Sequence, residues 1–80
     1  MEAKMAYTGP VVPDLKLYDD QTKDLLETVS KVPWPPRVGE ILPGVQNYPR
    51  WVVTRVGELE VGDWSKSPPE LYWPVYGHKI

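Results

Sequence analysis

The chain has 80 residues, a formal net charge of −2 and no cysteine, with nine Lys and Arg against eleven Asp and Glu. A chain of this length buries only about 60% of the surface that its unfolded form exposes, and without cysteine it has no disulfide or thiolate metal site to support a small core. The charge balance offers no basic stripe for phosphates, which disfavours nucleic acid as a partner. We expect one domain at residues 11–80 and a disordered arm at residues 1–10.

No apolar run in the sequence approaches the roughly 18 residues that a membrane span needs, and the N-terminus has an acid at position 2 and no long apolar stretch. We therefore expect a cytoplasmic protein with no membrane partner. The aromatic residues are four Trp and five Tyr, with no Phe. Since Tyr and Trp combine a large apolar surface with a polar group, they indicate either a binding surface or a small core that gains area from large side chains.

Residues 14–32 are the longest proline-free part of the chain and admit two structures. As a hairpin, strands at residues 11–19 and 25–32 would flank the polar turn DDQTKD. If residues 19–31 instead form one short helix, its apolar side chains recur at three- and four-residue spacing on one face. We favour the hairpin, because its second arm is rich in β-branched residues and its first arm would otherwise lack a partner.

The segment KVPWPPRVGE holds three prolines, a tryptophan and an arginine ahead of an apolar run. One interpretation is a polyproline II segment that presents Trp34 and Arg37 to a partner. The other is a straight lead into a strand at RVGEIL, with Trp34 packed as a lid on the core. We favour the second interpretation and keep Trp34 and Arg37 as a second candidate surface.

The next elements are a turn at PGVQNYP and a long strand at RWVVTRVGELEV. Alternation places Trp51, Val53, Leu59 and Val61 on one face of this strand. Gly57, with charged residues on both sides, predicts a bulge or a sharp bend within it.

The last strand is expected at ELYWPVYG, after a loop at GDWSKSPP. Alternation gives this strand an apolar inward face, formed by Leu71, Trp73 and Val75, and an outward face formed by Tyr72, Pro74 and Tyr76. Because Pro74 has no N–H, we expect this strand at a sheet edge or at a bulge. Four or five short strands with frequent turns predict an all-β fold, a small partly open antiparallel barrel that is SH3-like or OB-like.

Residues 15–56 resemble a loose group of short, uncharacterised bacterial and phage proteins of β-barrel type. The group has a Thr-Gly-Glu-like turn, a Pro-x-x-Gly-Glu strand entry and an aromatic-x-Val-x-x-Val strand. Here residues 22–24 (TKD) stand at the turn, residues 36–40 (PRVGE) match the entry, and residues 51–56 (WVVTRV) match the strand. The resemblance implies the same fold and a bacterial or phage origin, and it carries over no functional residue.

The sequence lacks the usual elements of an active site. It has no Cys, a single histidine at position 78, and no Gly-rich phosphate loop. The acids at 14, 19, 20 and 24 do not have the spacing of a calcium loop, and their composition suits a turn. We expect no enzymatic activity, no metal and no cofactor.

The remaining signal is aromatic and points to a protein partner. Tyr and Arg side chains that lie outside a core supply interface hot spots. The candidate binding residues are Tyr48, Arg50, Trp64, Tyr72 and Tyr76. We expect a non-enzymatic protein–protein binding module that serves as an accessory or inhibitor protein. The alternatives are a single-stranded nucleic-acid-binding barrel, which would use Arg50 and Trp51, and a homo-oligomeric structural protein.

Overall fold

The computed structural model describes residues 12–65 and 69–80, which form six strands and no helix. The strands are β1 (Asp14–Asp19), β2 (Leu25–Val29), β3 (Ile41–Leu42), β4 (Trp51–Val56), β5 (Glu60–Asp63) and β6 (Glu70–Lys79). They form one curled sheet of order β2-β1-β6-β4-β3, with β5 also paired to β6. The predicted all-β fold and partly open barrel are confirmed. The arm expected at residues 1–10 and part of the proline-rich loop, residues 66–68, lie outside the described residues.

β1 and β2 form the hairpin that the sequence favours, and the alternative helix is wrong. The Asp19 carboxylate accepts the backbone N–H groups of Gln21 and Thr22 at 2.9 and 3.0 Å, and the Asp19 carbonyl accepts the N–H of Lys23 at 2.8 Å. Lys23 has a φ of 66°, the left-handed conformation that usually favours glycine. Aspartate thus closes the turn through its side chain, even though Lys23 stands where the related pattern has Gly.

β6 is the central strand, so the expected position at a sheet edge is wrong, while the alternative of a bulge is matched by register shifts in its pairing with β4 and with β5. β6 pairs in parallel with β1 on one side, so the sheet is mixed and the wholly antiparallel barrel that was predicted is wrong on this point. Every other strand pair of the described residues is antiparallel. On its other side, β6 pairs with β5 through residues up to Tyr72 and with β4 from Val75 onward. Pro74 lies between these two ladders, where the chain leaves β4 at Gly57. A missing N–H is tolerated at this position because, on the side of β4 and β5, no strand continues opposite Pro74.

The predicted interruption at Gly57 is confirmed, since β4 ends at Val56 and β5 begins at Glu60. The N–H of Gly57 donates to the Pro74 carbonyl at 2.8 Å, and a Cβ at Gly57 would lie 2.8 Å from the Pro74 ring. Close approach to proline therefore requires glycine here. The prediction that Leu59 shares a strand face with Trp51 and Val53 is wrong, because the chain has left the sheet at this point and Leu59 is 44% exposed, whereas Trp51 and Val53 are buried.

The core lies inside the curl of the sheet. Its buried members are Leu15, Leu17, Val45, Trp51, Val53 and Val75. Of the residues expected inward on β6, Val75 is fully buried, Trp73 packs against this core and Leu71 is half-buried. Trp34 is not a lid on the core as expected, since it is 79% exposed and Val32 packs there instead.

The open side of the barrel is bridged by a tight turn between β3 and β4. Gln46 and Asn47 both have positive φ, and the N–H of Tyr48 donates to the Val45 carbonyl at 2.8 Å. The Gln46 side-chain amide donates to the Leu26 carbonyl of β2 at 2.7 Å. This contact joins the two ends of the sheet without a strand ladder. None of the described residues forms a helix long and apolar enough to cross a membrane.

Candidate functional site

The convex face of the sheet carries three tyrosines in two rows. In the first row, Tyr76 of β6 pairs with Tyr18 of β1 and with Arg55 of β4. In the second row, Tyr72 of β6 pairs with Asp14 of β1 and with Glu60 of β5. We call these the Tyr76 row and the Tyr72 row.

A third row, in which Pro74 pairs with Lys16, lies between them. Tyr18, Tyr72 and Tyr76 are all half-buried, so their rings are fixed by the sheet and remain accessible. Pro74, which was expected on the outward face, lies between the two rows but is buried. We refer to the surface formed by these three tyrosines as the tyrosine face.

Cations lie against the rings of the tyrosine face. The Arg55 guanidinium lies 4.3 Å from the centroid of the Tyr76 ring, and the Lys23 ammonium lies 5.3 Å from it. The Lys16 ammonium lies 4.2 Å from the centroid of the Tyr72 ring. All three distances fall within the range of cation–π attraction. The contacts hold long, flexible side chains in place, which reduces the entropy they lose when a partner binds.

Tyr18 and Tyr76 stack with ring centroids 5.3 Å apart and an angle of 26° between the ring planes. Burial raises the pKa of the Tyr18 hydroxyl, and the neighbouring Tyr72 and Tyr76 add to this rise, with a hydrogen bond to Tyr72 contributing as well. The raised pKa keeps the Tyr18 hydroxyl neutral, so it remains a hydrogen-bond donor and acceptor.

An open cleft of about 660 Å³ continues the tyrosine face toward the segment that joins β4 and β5. Pro74 and Tyr76 line it from β6, Arg55 lines it from β4, and Glu58 and Glu60 line it from the other side. The cleft therefore combines ring surfaces with charges of both signs. Such a lining suits a polar peptide segment better than an apolar small molecule.

Asp20, which directly follows β1, contacts β4 and β6 beside the Tyr76 row. Its carboxylate oxygen lies 2.7 Å from Nδ1 of His78 and accepts the Thr54 hydroxyl at 2.9 Å. The hydrogen bond with His78 lowers the pKa of the Asp20 carboxyl, and the hydrogen bond from Thr54 lowers it further. Thr54 lies at the bulge of β4, where the register against β6 shifts. Asp20 therefore fastens the hairpin turn to the sheet and fixes the position of the Tyr76 row.

The structure brings together only part of the predicted binding set. Tyr72 and Tyr76 share the tyrosine face, as alternation along β6 predicts. Arg50 directly precedes β4, and its carbonyl accepts the N–H of Ile80, which directly follows β6. Ile80 is four residues beyond Tyr76, so Arg50 lies about 13 Å from the Tyr76 row. Tyr48 packs against the core, with the Lys79 ammonium 5.2 Å from its ring centroid. Trp64 is 78% exposed in the turn after β5.

The second candidate surface, Trp34 and Arg37, is exposed in the loop before β3. The Arg37 backbone N–H donates to the Glu40 carboxylate at 3.0 Å, which shapes the loop and leaves the guanidinium on the surface. Trp51, which the nucleic-acid alternative required for base stacking, is fully buried at 0% exposure. A base has no access to its ring, so this alternative cannot use the Arg50 and Trp51 strand.

Sequence reasoning missed Tyr18, Lys16 and Arg55 as members of the site. Alternation along β1 contains the signal, since Leu15 and Leu17 are buried and Lys16 and Tyr18 must then point outward. The sequence does not indicate that β1 lies beside β6, because a parallel pairing between distant segments leaves no local pattern.

Within the ranges 12–65 and 69–80, no group of three or more His, Asp or Glu side chains could hold a metal ion. No family model matches this chain, and neither the curated proteins nor the solved structures gave a significant match. The tyrosine face is therefore interpreted from its own geometry.

Proposed function

We propose that this protein is a non-enzymatic protein–protein binding module that uses the tyrosine face. The observation that supports it is the set of three half-buried tyrosines on one sheet face with Lys16, Lys23 and Arg55 held against their rings. Tyrosine and arginine dominate interface hot spots, because they contribute large contact areas and directional hydrogen bonds at a low cost in side-chain entropy. The proposal includes a cytoplasmic location and an accessory or inhibitor role. It also includes a bacterial or phage origin, which the resemblance of residues 15–56 implies.

A capture experiment with matched variants tests the proposal. The wild-type chain and a Tyr72→Ala/Tyr76→Ala variant are immobilised, and proteins retained from a lysate of the native host are identified by mass spectrometry. We expect a specific partner with the wild type and at least a tenfold loss with the double variant, since each hot-spot residue contributes about 2 kcal/mol. Trp34→Ala is the comparison variant, because it removes an exposed ring of the second candidate surface and leaves the three tyrosines unchanged. Equal capture by all three folded proteins would remove the tyrosine face from consideration.

The same face also favours a second candidate function, which is binding of single-stranded nucleic acid. Exposed rings on a sheet with cations beside them are the elements that stack bases and contact phosphates in small barrels. A titration with mixed-sequence oligonucleotides at low salt tests it. Nucleic-acid binding predicts affinity that falls steeply as salt is added, whereas a protein-binding module predicts no response to the oligonucleotides.

A further inference from the structure

The two rows of the tyrosine face carry charges of opposite sign. The Tyr76 row has the Arg55 guanidinium and the Lys23 ammonium against its central ring. The Tyr72 row is flanked by Asp14 on β1 and by Glu60 on β5. The row that separates them is centred on Pro74. The Lys16 ammonium also lies 4.2 Å from the centroid of the Tyr72 ring, where it contacts the Glu70 carboxylate at 3.8 Å. One side of the face is thus cationic, and the other side, with three carboxylates and one ammonium, is acidic.

These four charges have no ion-pair partner in the part of the chain that the structure describes. By contrast, two neighbouring charged side chains each have an ionisable partner. The Lys16 ammonium lies 3.8 Å from the Glu70 carboxylate, and the Asp20 carboxylate lies 2.7 Å from Nδ1 of His78. Asp14 accepts the backbone N–H of Lys31 at 3.1 Å, and the Lys23 ammonium donates to the Asp20 carbonyl at 2.7 Å, so both are hydrogen-bonded but neither is neutralised by an opposite charge. Arg55 and Glu60 are exposed and are the charges of the rows most available for a partner.

We infer that the partner of the tyrosine face is a second copy of this chain, and this inference rests on the proposed function because it names the partner of the same surface. A face with a cationic row and an acidic row is complementary to itself. A two-fold axis that lies in the interface along the Pro74 row places each Tyr76 row opposite the Tyr72 row of the other copy. Arg55 then faces Glu60 of the second copy, and Lys23 faces its Asp14.

The uncharged side chains fit the same arrangement. Tyr76 of one copy lies over Tyr72 of the other. Pro74 is buried, so the axis passes over it and the arrangement needs no contact between the two Pro74 rings. Lys16 lies in the same row as Pro74, and its ammonium lies against the Tyr72 ring of its own chain, where the Glu70 carboxylate offsets its charge. Each chain carries a net charge of −2. The long-range repulsion between equal net charges makes this a weak, reversible dimer that depends on the local charge match.

A charge-exchange experiment tests the inference by sedimentation velocity at a low and a high protein concentration. The wild type is expected to shift from monomer toward dimer as concentration rises. Arg55→Glu alone and Glu60→Arg alone each place like charges opposite each other twice, because the interface is symmetric, and each should weaken the dimer about tenfold. An equimolar mixture of the two single variants should form the dimer again, and so should the double variant Arg55→Glu/Glu60→Arg.

Two controls keep the outcome clear. Arg50→Glu makes the same change at an exposed arginine outside both rows and should leave dimerisation unchanged. If either single variant does not fold, Lys23→Glu and Asp14→Arg test the other pair in the same way. A wild type that stays monomeric at the highest concentration overturns the inference, and so does a dimer that both single variants leave intact or that the mixture does not restore. A monomer that still captures another protein through Tyr72 and Tyr76 overturns this inference alone, whereas a monomer that captures nothing contradicts the proposed function as well.

Discussion

The two faces of β6 differ in what their side chains do, although the residues alternate along one strand. The inward residues Val75 and Gly77 are buried, and Gly77 lies directly against the ring of Trp51. The outward tyrosines Tyr72 and Tyr76 are half-buried and contact cations, and Tyr76 stacks on Tyr18 of β1. The inward face therefore holds the sheet together by close packing, while the outward face keeps rigid rings at the surface. We therefore expect the tyrosines of the convex side to be replaceable without loss of the fold.

The largest effect is expected from closing the space at Gly77. A Cβ there would collide with the Val52 carbonyl oxygen and would lie 2.7 Å from the Trp51 ring. Since neither the backbone of β4 nor a fully buried ring can move freely, Gly77→Ala should lower the free energy of unfolding by about 2–4 kcal/mol. Denaturant titration followed by tryptophan fluorescence measures this. Gly62→Ala is the matched control, because its added Cβ would meet only the side chains of Glu70 and Tyr72. Equal losses at both glycines would contradict the close contact of Gly77 with Trp51.

Truncation of neighbouring residues on β6 compares the two faces directly. Val75→Ala removes buried volume from the core and should cost about 2 kcal/mol. Tyr76→Ala removes a larger side chain but only a stacked ring and cation–π contacts at the surface, so about 1 kcal/mol is expected. Denaturant midpoints of the two variants, with the same slope as the wild type, would establish this order. The reverse order would show that the tyrosine face holds the fold together and is not free to serve binding.

The same contrast explains which features were predictable from the sequence. Period-two alternation located the faces of β6, the Asp-rich turn located the first hairpin, and Gly57 located the break between β4 and β5. Those signals are local, since each depends on neighbouring residues and on backbone conformation. The parallel neighbour of β6 has no such signal, so Pro74 suggested an edge strand and Tyr18 was not recognised as part of the site. Trp34 was placed on the core because its size favours burial, but the small half-barrel is already filled by Trp51 and its neighbours.

A smaller effect is expected from protonation of Asp20, whose carboxylate links the hairpin turn to Thr54 of β4 and His78 of β6. Its pKa is lowered in the folded protein by the hydrogen bonds with His78 and Thr54. A lowered folded-state pKa means that this contribution to stability is complete above the unfolded-state pKa of about 3.9 and is lost as pH falls through the folded-state pKa. The free energy of unfolding should therefore fall less steeply in acid for Asp20→Asn than for the wild type. Asp19, whose pKa is also lowered, remains in both proteins, so the difference reports Asp20. Identical acid slopes would show that His78 and Thr54 do not stabilise the carboxylate.

The smallest effect concerns the Tyr18 hydroxyl, and it reports the state of the tyrosine face without disturbing the core. Burial raises its pKa, with further contributions from Tyr72 and Tyr76, so Tyr18 should lose its proton above the ordinary tyrosine value of 10.0. Tyr18→Phe should remove this late step from an alkaline absorbance titration, and Tyr72→Ala should shift it back toward 10.0, since both the hydrogen bond and part of the burial are lost. Since the folded-state pKa is raised, this contribution to stability is complete below the unfolded-state pKa and is lost as pH rises through the folded-state pKa. If two copies meet through this face, Tyr18 becomes more buried and its pKa should rise further at high protein concentration, whereas a late step that is independent of concentration would be evidence for a monomer.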